Sequence, residues 1–411
     1  MKEMRYHTYQ LQNGLRIIHL PVESPVSYCG FAVNAGTRDE RDDEHGMAHL
    51  VEHMLFKGTT KRKAWHILNR MEVVGGELNA YTTKEETFVY SVFLAEHFNR
   101  SVELLTDIVF HSSFPQKELE KEKEVILDEI NSYEDSPSEL IYDEFENQIF
   151  AGHQLGHHIL GNQESIERYT PEDGLSFLHR FYMPEQMVFF SMGRQPFKQL
   201  VKTLERLTGA LNLAANSGNS ARIAPSEYKV SSNRMDKDTH QAHVLIGNRA
   251  YSMYDEKRMA LFVLNNLLGG PGMNSRLNLM LRERHGLVYT IESNITSYTD
   301  TGMASIYFGT DPKHLEKALQ LVKKVLRELQ EKKLSTSQMA VVKRQIIAQM
   351  AISRDNREGL FLGLGKNYLH HGSYSSLEEI AGKIDVLTAE DLRNTANEVF
   401  IPEQLSYLIY C

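Results

Sequence analysis

Thr170-Pro171-Glu172-Asp173, followed by Pro184-Glu185-Gln186, returns later in the chain as Thr388-Ala389-Glu390-Asp391 and Pro402-Glu403-Gln404, and Ile166 is matched by Ile384. Every landmark keeps one offset, a period of about 218 residues, which means a duplicated domain and not a solenoid of short repeats. Each half also shares an order of elements. Strand-like runs come first, at 27–33 and 241–247. A helix-like run follows, then further strands, then long amphipathic helices. This predicts an α+β fold of two tandem homologous domains, each a mostly antiparallel sheet packed with helices. The stretch 211–227 is rich in Asn, Ser, Ala and Gly and has no clear period, so the boundary is placed there, between a domain at 1–215 and one at 216–411.

The 411 residues suffice for about two or three domains with substantial cores. Apolar residues make up 41% and charged ones 24%. No apolar run approaches the roughly 18 residues of a spanning helix, which excludes a membrane span. A net charge of −9 argues against nucleic acid as a partner and suits neutral or basic peptides. Cys29 and Cys411 have no partner at metal-ligand or redox spacing, so neither a disulfide scaffold nor a thiolate zinc site is expected. The polar start, with an early strand-like stretch at 15–20, has no signal-peptide core. A cytoplasmic protein is expected, or one of an organellar matrix if a targeting segment has been removed.

Within the first half stands His49-Leu50-Val51-Glu52-His53. On a helix this puts two imidazoles at i and i+4 on one face with a carboxylate beside them, the arrangement that presents two metal ligands and a general base together. Met47, Leu50, Val51, Met54 and Leu55 supply a buried face, and Asp42, Asp43 and Glu44 suit its amino terminus. The second half has an apolar run, 260–269, at the corresponding place without the metal-binding residues. The fold therefore does not need them, which favours a chemical role. His45 belongs to the helix start and is not a ligand; His153, His157 and His158 have surface-loop neighbours.

A catalytic zinc takes three protein ligands and keeps one position open. The best source of the third is 116–133, a long helix after Pro115 on which Leu119, Glu122, Ile126, Glu129 and Tyr133 share a stripe. Two carboxylates thus interrupt a face that should be buried, where an unpaired charge is costly. Metal binding would satisfy Glu129, and Glu122, two turns earlier, can orient a histidine.

His49 to His53, a gap of about 75 residues and then Glu129 resembles the inverted zinc-binding pattern of the pitrilysin and insulinase peptidases. The similarity extends over 46–59 and over Gly75-Gly76-Glu77-Leu78-Asn79-Ala80-Tyr81-Thr82. Length and a single duplication look most like the mitochondrial processing peptidase branch and its bacterial relatives. The resemblance implies Zn2+ held by His49, His53 and Glu129, with Glu52 as the base that activates the zinc-bound water. It also implies an edge strand in which Asn79 and Ala80 pair with an extended substrate. Arg282 and Tyr289, seven apart, match a pair that binds the substrate carbonyl in that family. Gly269-Gly270-Pro271-Gly272 resembles its glycine-rich loop, and lacks the Lys-Ser/Thr ending of a phosphate loop.

The expected activity is a zinc endopeptidase acting on extended or unfolded peptides in a dimeric chamber. The first domain would be catalytic and the second would contact substrate. Two alternatives stand beside it: a non-catalytic peptide-binding or assembly subunit, and the active half of an obligate heterodimeric processing peptidase. Intact His49, Glu52, His53 and Glu129 speak against the first. The chain's own glycine loop and Arg/Tyr pair favour a homodimer over the second.

Overall fold

The computed structural model describes residues 5–209, 211, 222–237 and 239–411; the cut between 215 and 216, and most of the stretch 211–227, lie outside them. Six strands form the first sheet: β1 (His7–Gln10), β2 (Arg16–Pro21), β3 (Val26–Val33), β4 (Glu77–Thr82), β5 (Thr87–Leu94) and β6 (Met187–Gly193), in the order β1-β2-β6-β3-β5-β4. Five form the second: β7 (Ser232–Met235), β8 (Ala242–Ala250), β9 (Val288–Ser297), β10 (Gly302–Thr310) and β11 (Ser406–Tyr410), in the order β7-β11-β8-β10-β9. With β1 set aside the two orders superimpose strand for strand. Each sheet has one parallel pair, β2 with β6 and β7 with β11, and is otherwise antiparallel. Two homologous α+β domains are therefore present, as the repeat implies.

The repeated residues do the same work twice. Thr170 and Thr388 each cap a helix, Pro171–Phe181 and Ala389–Val399. Asp173 Oδ2 accepts from the Thr170 N–H at 2.8 Å, and Asp391 Oδ2 accepts from the Thr388 N–H at 2.7 Å. Each Thr hydroxyl accepts in return from the N–H of its Asp. These reciprocal bonds satisfy donors that the first helical turn cannot. The Pro-Glu-Gln segments form one short 3-10 turn each, leading into β6 and β11.

The chain divides into two compact units that do not follow its midpoint. One comprises the described parts of Met1–Asn131, His157–Arg222 and Ser353–Ser376; the other comprises those of Ser132–Gly156, Ile223–Ile352 and Leu377–Cys411. Each unit thus includes one helix from the opposite half of the sequence. The reason lies in the sheets, whose central strands are apolar on both faces. In the first, Cys29, Phe31, Val33 and Phe189 join a core with the helices of the first half. Ala32, Phe88, Val188 and Phe190 point the other way and are covered by Phe361, Leu364 and Leu369 of the helix Arg357–His371. In the second, Val244 and Ile246 face one core and Leu245 another, the latter closed by Ile141, Phe145 and Ile149 of the helix Pro137–Ile149. A strand buried on both faces reads as a continuous apolar run because it needs two covers.

One contact shows how closely the cover lies. A Cβ on Gly365, in the helix Arg357–His371, would stand 2.7 Å from the Phe190 ring. Glycine there lets the helix backbone rest directly on the sheet's aromatic layer. The same helix is tied to the loop before β5, where the buried Glu86 carboxylate meets His370 Nε2 at 2.8 Å and the Lys366 ammonium.

Candidate metal centre

The helix Met47–Leu55 buries Met47, Ala48, Leu50, Val51, Met54 and Leu55, which leaves His49, Glu52 and His53 on one side, as the i, i+3, i+4 spacing requires. Its amino end is built by residues outside the motif. Gly46 has φ +84, and an added Cβ would lie 2.6 Å from the Leu160 carbonyl oxygen. The buried Glu40 carboxylate accepts from the N–H groups of Gly46 at 3.1 Å and Ala48 at 2.8 Å. The capping carboxylate is therefore Glu40, not the Asp42-Asp43-Glu44 run. Asp42 and Asp43 are exposed, and Glu44 is engaged by Arg180 at 2.6 Å. Burial pushes the Glu40 carboxyl well above the usual range, against the two backbone donors.

The third donor comes from the helix Gln116–Glu134, which buries Leu119, Glu122 and Ile126. Glu129 lies beyond them on that stripe, its Oε2 3.8 Å from His49 Nε2 and 3.7 Å from His53 Nε2. The two imidazole centroids are 4.6 Å apart. Donor atoms of His49, His53 and Glu129 all fall within 4.8 Å of one another, the one such group among the described residues. These contacts are too long for hydrogen bonds. They are near the ~3.4 Å that separates tetrahedral ligands about 2.1 Å from one zinc ion. Burial, with His53 alongside, lowers the His49 pKa to about 3, which leaves a neutral ring with a lone pair to give. Two nitrogens and a carboxylate oxygen that converge without a donor between them fit zinc.

Glu122 completes the support. Its Oε2 is 3.0 Å from His53 Nδ1 and its Oε1 is 2.6 Å from Lys57 Nζ. Because a carboxylate only accepts, Nδ1 carries the proton and Nε2 is left free to ligate. Burial would raise the Glu122 carboxyl, but His53 and Lys57 outweigh it and hold it below the ordinary value. Lys57 was not singled out in the sequence, although it stands one helical turn after His53.

Glu52 is mostly buried, and its Oε2 has no hydrogen-bond partner among the described residues. Burial raises its pKa, and the Thr82 hydroxyl works against that rise. Thr82 is the last residue of β4, which packs beside the motif helix and closes the sheet order, paired among the described residues with β5 alone. Asn79 and Ala80 lie within β4, opposite Tyr90 and Val89. A strand edge without a partner among the described residues thus runs next to Glu52 and the candidate metal donors. Nothing in the sequence pattern of 77–82 connects Thr82 to Glu52; only the packing does.

Arg282 and Tyr289 belong to the other compact unit. Arg282 sits in a π-helical turn, Asn278–Glu283, and its guanidinium carbon is 5.6 Å from the Tyr289 ring centroid. Tyr289, at the start of the edge strand β9, is 80% exposed. Both line a groove of about 420 Å³ together with Gly269, Gly270, Pro271 and Gly272, so the glycine loop and the Arg/Tyr pair occupy one place in that unit. His45 stays outside the metal group, its ring 4.0 Å from that of His157.

The fold and the donor set together define a protein of two homologous domains with a candidate metal centre in the first. The chain matches the family described as Insulinase (Peptidase family M16) over residues 19–163, and Peptidase M16 inactive domain over residues 168–346. It is 31% identical over 403 residues to the uncharacterized zinc protease YmxG of Bacillus subtilis, covering 98% of this chain and 97% of that one. It is 32% identical over 415 residues to an uncharacterized zinc protease of Rickettsia bellii, covering 100% and 98%. The chain belongs to peptidase family M16. In fold it is similar to a protease from Helicobacter pylori (TM-score 0.90, 21% identity, 99% and 100% covered). It is equally similar to a peptidase M16 inactive domain from Pseudomonas fluorescens (TM-score 0.91, 20% identity, 99% and 98% covered). No helix among the described residues is long and apolar enough to cross a membrane.

Proposed function

We propose that this chain is a zinc-dependent endopeptidase of processing-peptidase type, which hydrolyses extended or unfolded peptides as a cytoplasmic homodimer enclosing a chamber. The observation that carries the reading is the convergence of His49 Nε2, His53 Nε2 and Glu129 Oε2 beside the Glu52 carboxylate, whose Oε2 is buried and has no hydrogen-bond partner among the described residues. Zinc, when bound, supplies Lewis-acid polarisation of the scissile carbonyl and acidifies a water. His49, His53 and Glu129 hold the ion, and Glu122 fixes the His53 tautomer. Glu52 takes the proton from the attacking water and delivers it to the leaving amine. Its raised pKa suits it to both halves of that transfer.

The edge of β4 recognises the substrate backbone as an added strand at Asn79 and Ala80, which demands an extended chain and little side-chain identity. Arg282 and Tyr289 supply a cation and a phenol for the substrate carbonyl and the developing oxyanion. Digestion of a mixed peptide library by wild type and Glu52→Gln, each with and without chelator and with zinc content measured, tests the reading. Cleavage is expected only from the wild type without chelator. Cleavage that survives both chelator and Glu52→Gln overturns it.

A further inference from the structure

A second cavity, of about 350 Å³, lies in the unit that holds the glycine loop. The end of the helix Arg258–Gly269, the segment 274–279 and the first turns of the helix Thr336–Ser353 enclose it. Leu267, Leu334 and Val342 give it an apolar floor, and Leu279 and Val341, 37% and 53% exposed, stand at its rim. Arg276 also lines it, and makes no hydrogen bond or ion pair with any described residue. A half-buried guanidinium in such a place is costly unless an anion completes it. Burial lowers the Arg276 pKa, and Glu328, whose charge acts the other way, forms no ion pair with it.

From the apolar floor, the unpaired cation and the flanking amides we infer that this cavity binds the carboxyl terminus of a peptide ending in an apolar residue. The terminal carboxylate pairs with Arg276, in the bidentate manner that a guanidinium offers. The terminal side chain replaces water over Leu267, Leu334 and Val342. Gln338, Asn274 and Gln345 provide amide donors and acceptors for the last peptide groups; Asn274 and Gln345 now bond one another at 3.0 and 3.1 Å. These amides favour a peptide over a fatty acid, whose tail offers nothing for them to bond. The site adjoins the groove of Arg282 and Tyr289 at Ser275, and Arg276 lines this cavity and not that groove. It rests on the proposed peptidase activity only for the source of the peptide, since hydrolysis creates new carboxyl termini.

The test uses the full chain with Glu52→Gln, so that nothing is consumed, and measures fluorescence anisotropy with a labelled octapeptide ending in leucine. The free acid is expected to bind at least about tenfold more tightly than its C-terminal amide. Adding Arg276→Gln should remove that difference, Arg276→Lys should keep part of it, and Val341→Glu at the exposed rim should weaken the acid selectively. Thermal melts confirm that each variant is folded. Equal binding of acid and amide by the Glu52→Gln protein that retains Arg276, or an undiminished difference after Arg276→Gln, overturns the assignment, whether or not the wild type cleaves peptides. Displacement of the peptide by decanoate at equal or lower concentration overturns it in favour of a fatty acid.

Discussion

The helices Met47–Leu55 and Arg258–Gly269 hold the same position in their two units, each packed beside the edge strand of its own sheet, β4 in one and β9 in the other. The first carries His49, Glu52 and His53 on the side turned from the core. The second carries Met259, Phe262 and Asn266 among its less buried residues and buries Leu261, Val263, Leu264 and Leu268. Packing needs only the apolar stripe, so the opposite side is open to chemistry in one copy and unused for it in the other. The difference teaches that the candidate metal donors are additions to a fold that stands without them.

The largest expected break in that asymmetry is Glu52→Gln, which should lower peptide cleavage by about 10²–10⁴-fold while zinc content stays stoichiometric, because only the proton carrier is lost. Kinetics alongside metal analysis check it. Next comes Glu122→Gln, which frees Lys57 and no longer fixes the His53 tautomer. Zinc affinity, read by competition with a chromogenic chelator, should fall about 10–100-fold. Gly365→Ala attacks the fold rather than the site. The methyl group would press on the Phe190 ring, and denaturant unfolding should show a loss of about 1–3 kcal/mol.

The covering helices differ in how they are fastened, which gives a prediction in pH. The helix Pro137–Ile149 is tied through Glu146 to the Tyr298 hydroxyl, whereas Arg357–His371 is tied through Glu86 to His370 and Lys366. Burial alone would raise the Glu86 carboxyl, but His370 and Lys366 bring it down to about 2 from 4.5. A depressed carboxylate stabilises above its unfolded value and loses that contribution as pH falls through the folded one. Unfolding followed between about pH 4.5 and 2 should therefore lose stability more steeply in wild type than in Glu86→Gln. The smallest effect is expected from His49→Leu, which makes the first helix resemble the second. The metal-free protein should keep its melting temperature within a few degrees, and a large drop would mean that His49 does structural work.

Much of this was legible in the chain because local spacing carries it. The offset of Thr170 and Thr388 implied two copies, and both form the same helix cap. The spacing of His49, Glu52 and His53 implied one face, and the stripe from Leu119 to Tyr133 put Glu122 and Glu129 on one helix. The sequence left open which histidine Glu122 faces; the structure sets it against His53 and sets Glu129 near both rings. Glu40, Lys57 and Thr82 were not found. Glu40 and Thr82 reach the motif helix from a preceding loop and a neighbouring strand, and no sequence period links them to it. Lys57 does follow His53 at helical spacing, a signal that was available.

The sequence by itself determined the duplication, the elements of each copy and the motif helix, because periodicity and spacing act within a helix or strand. The tertiary structure alone decided which helix covers which sheet. An apolar stripe states that a face must be buried and leaves the partner unnamed, so Arg357–His371 could be assigned to the first sheet only once Phe361 and Leu364 were seen on Phe190 and Phe88. It likewise decided that Glu52 Oε2 is shut off from solvent beside a strand edge with no partner among the described residues, and that Arg276 lines a cavity with no ion pair among them. Both are facts about desolvation, which depends on every chain segment that excludes water from a group and not on that group's neighbours in sequence.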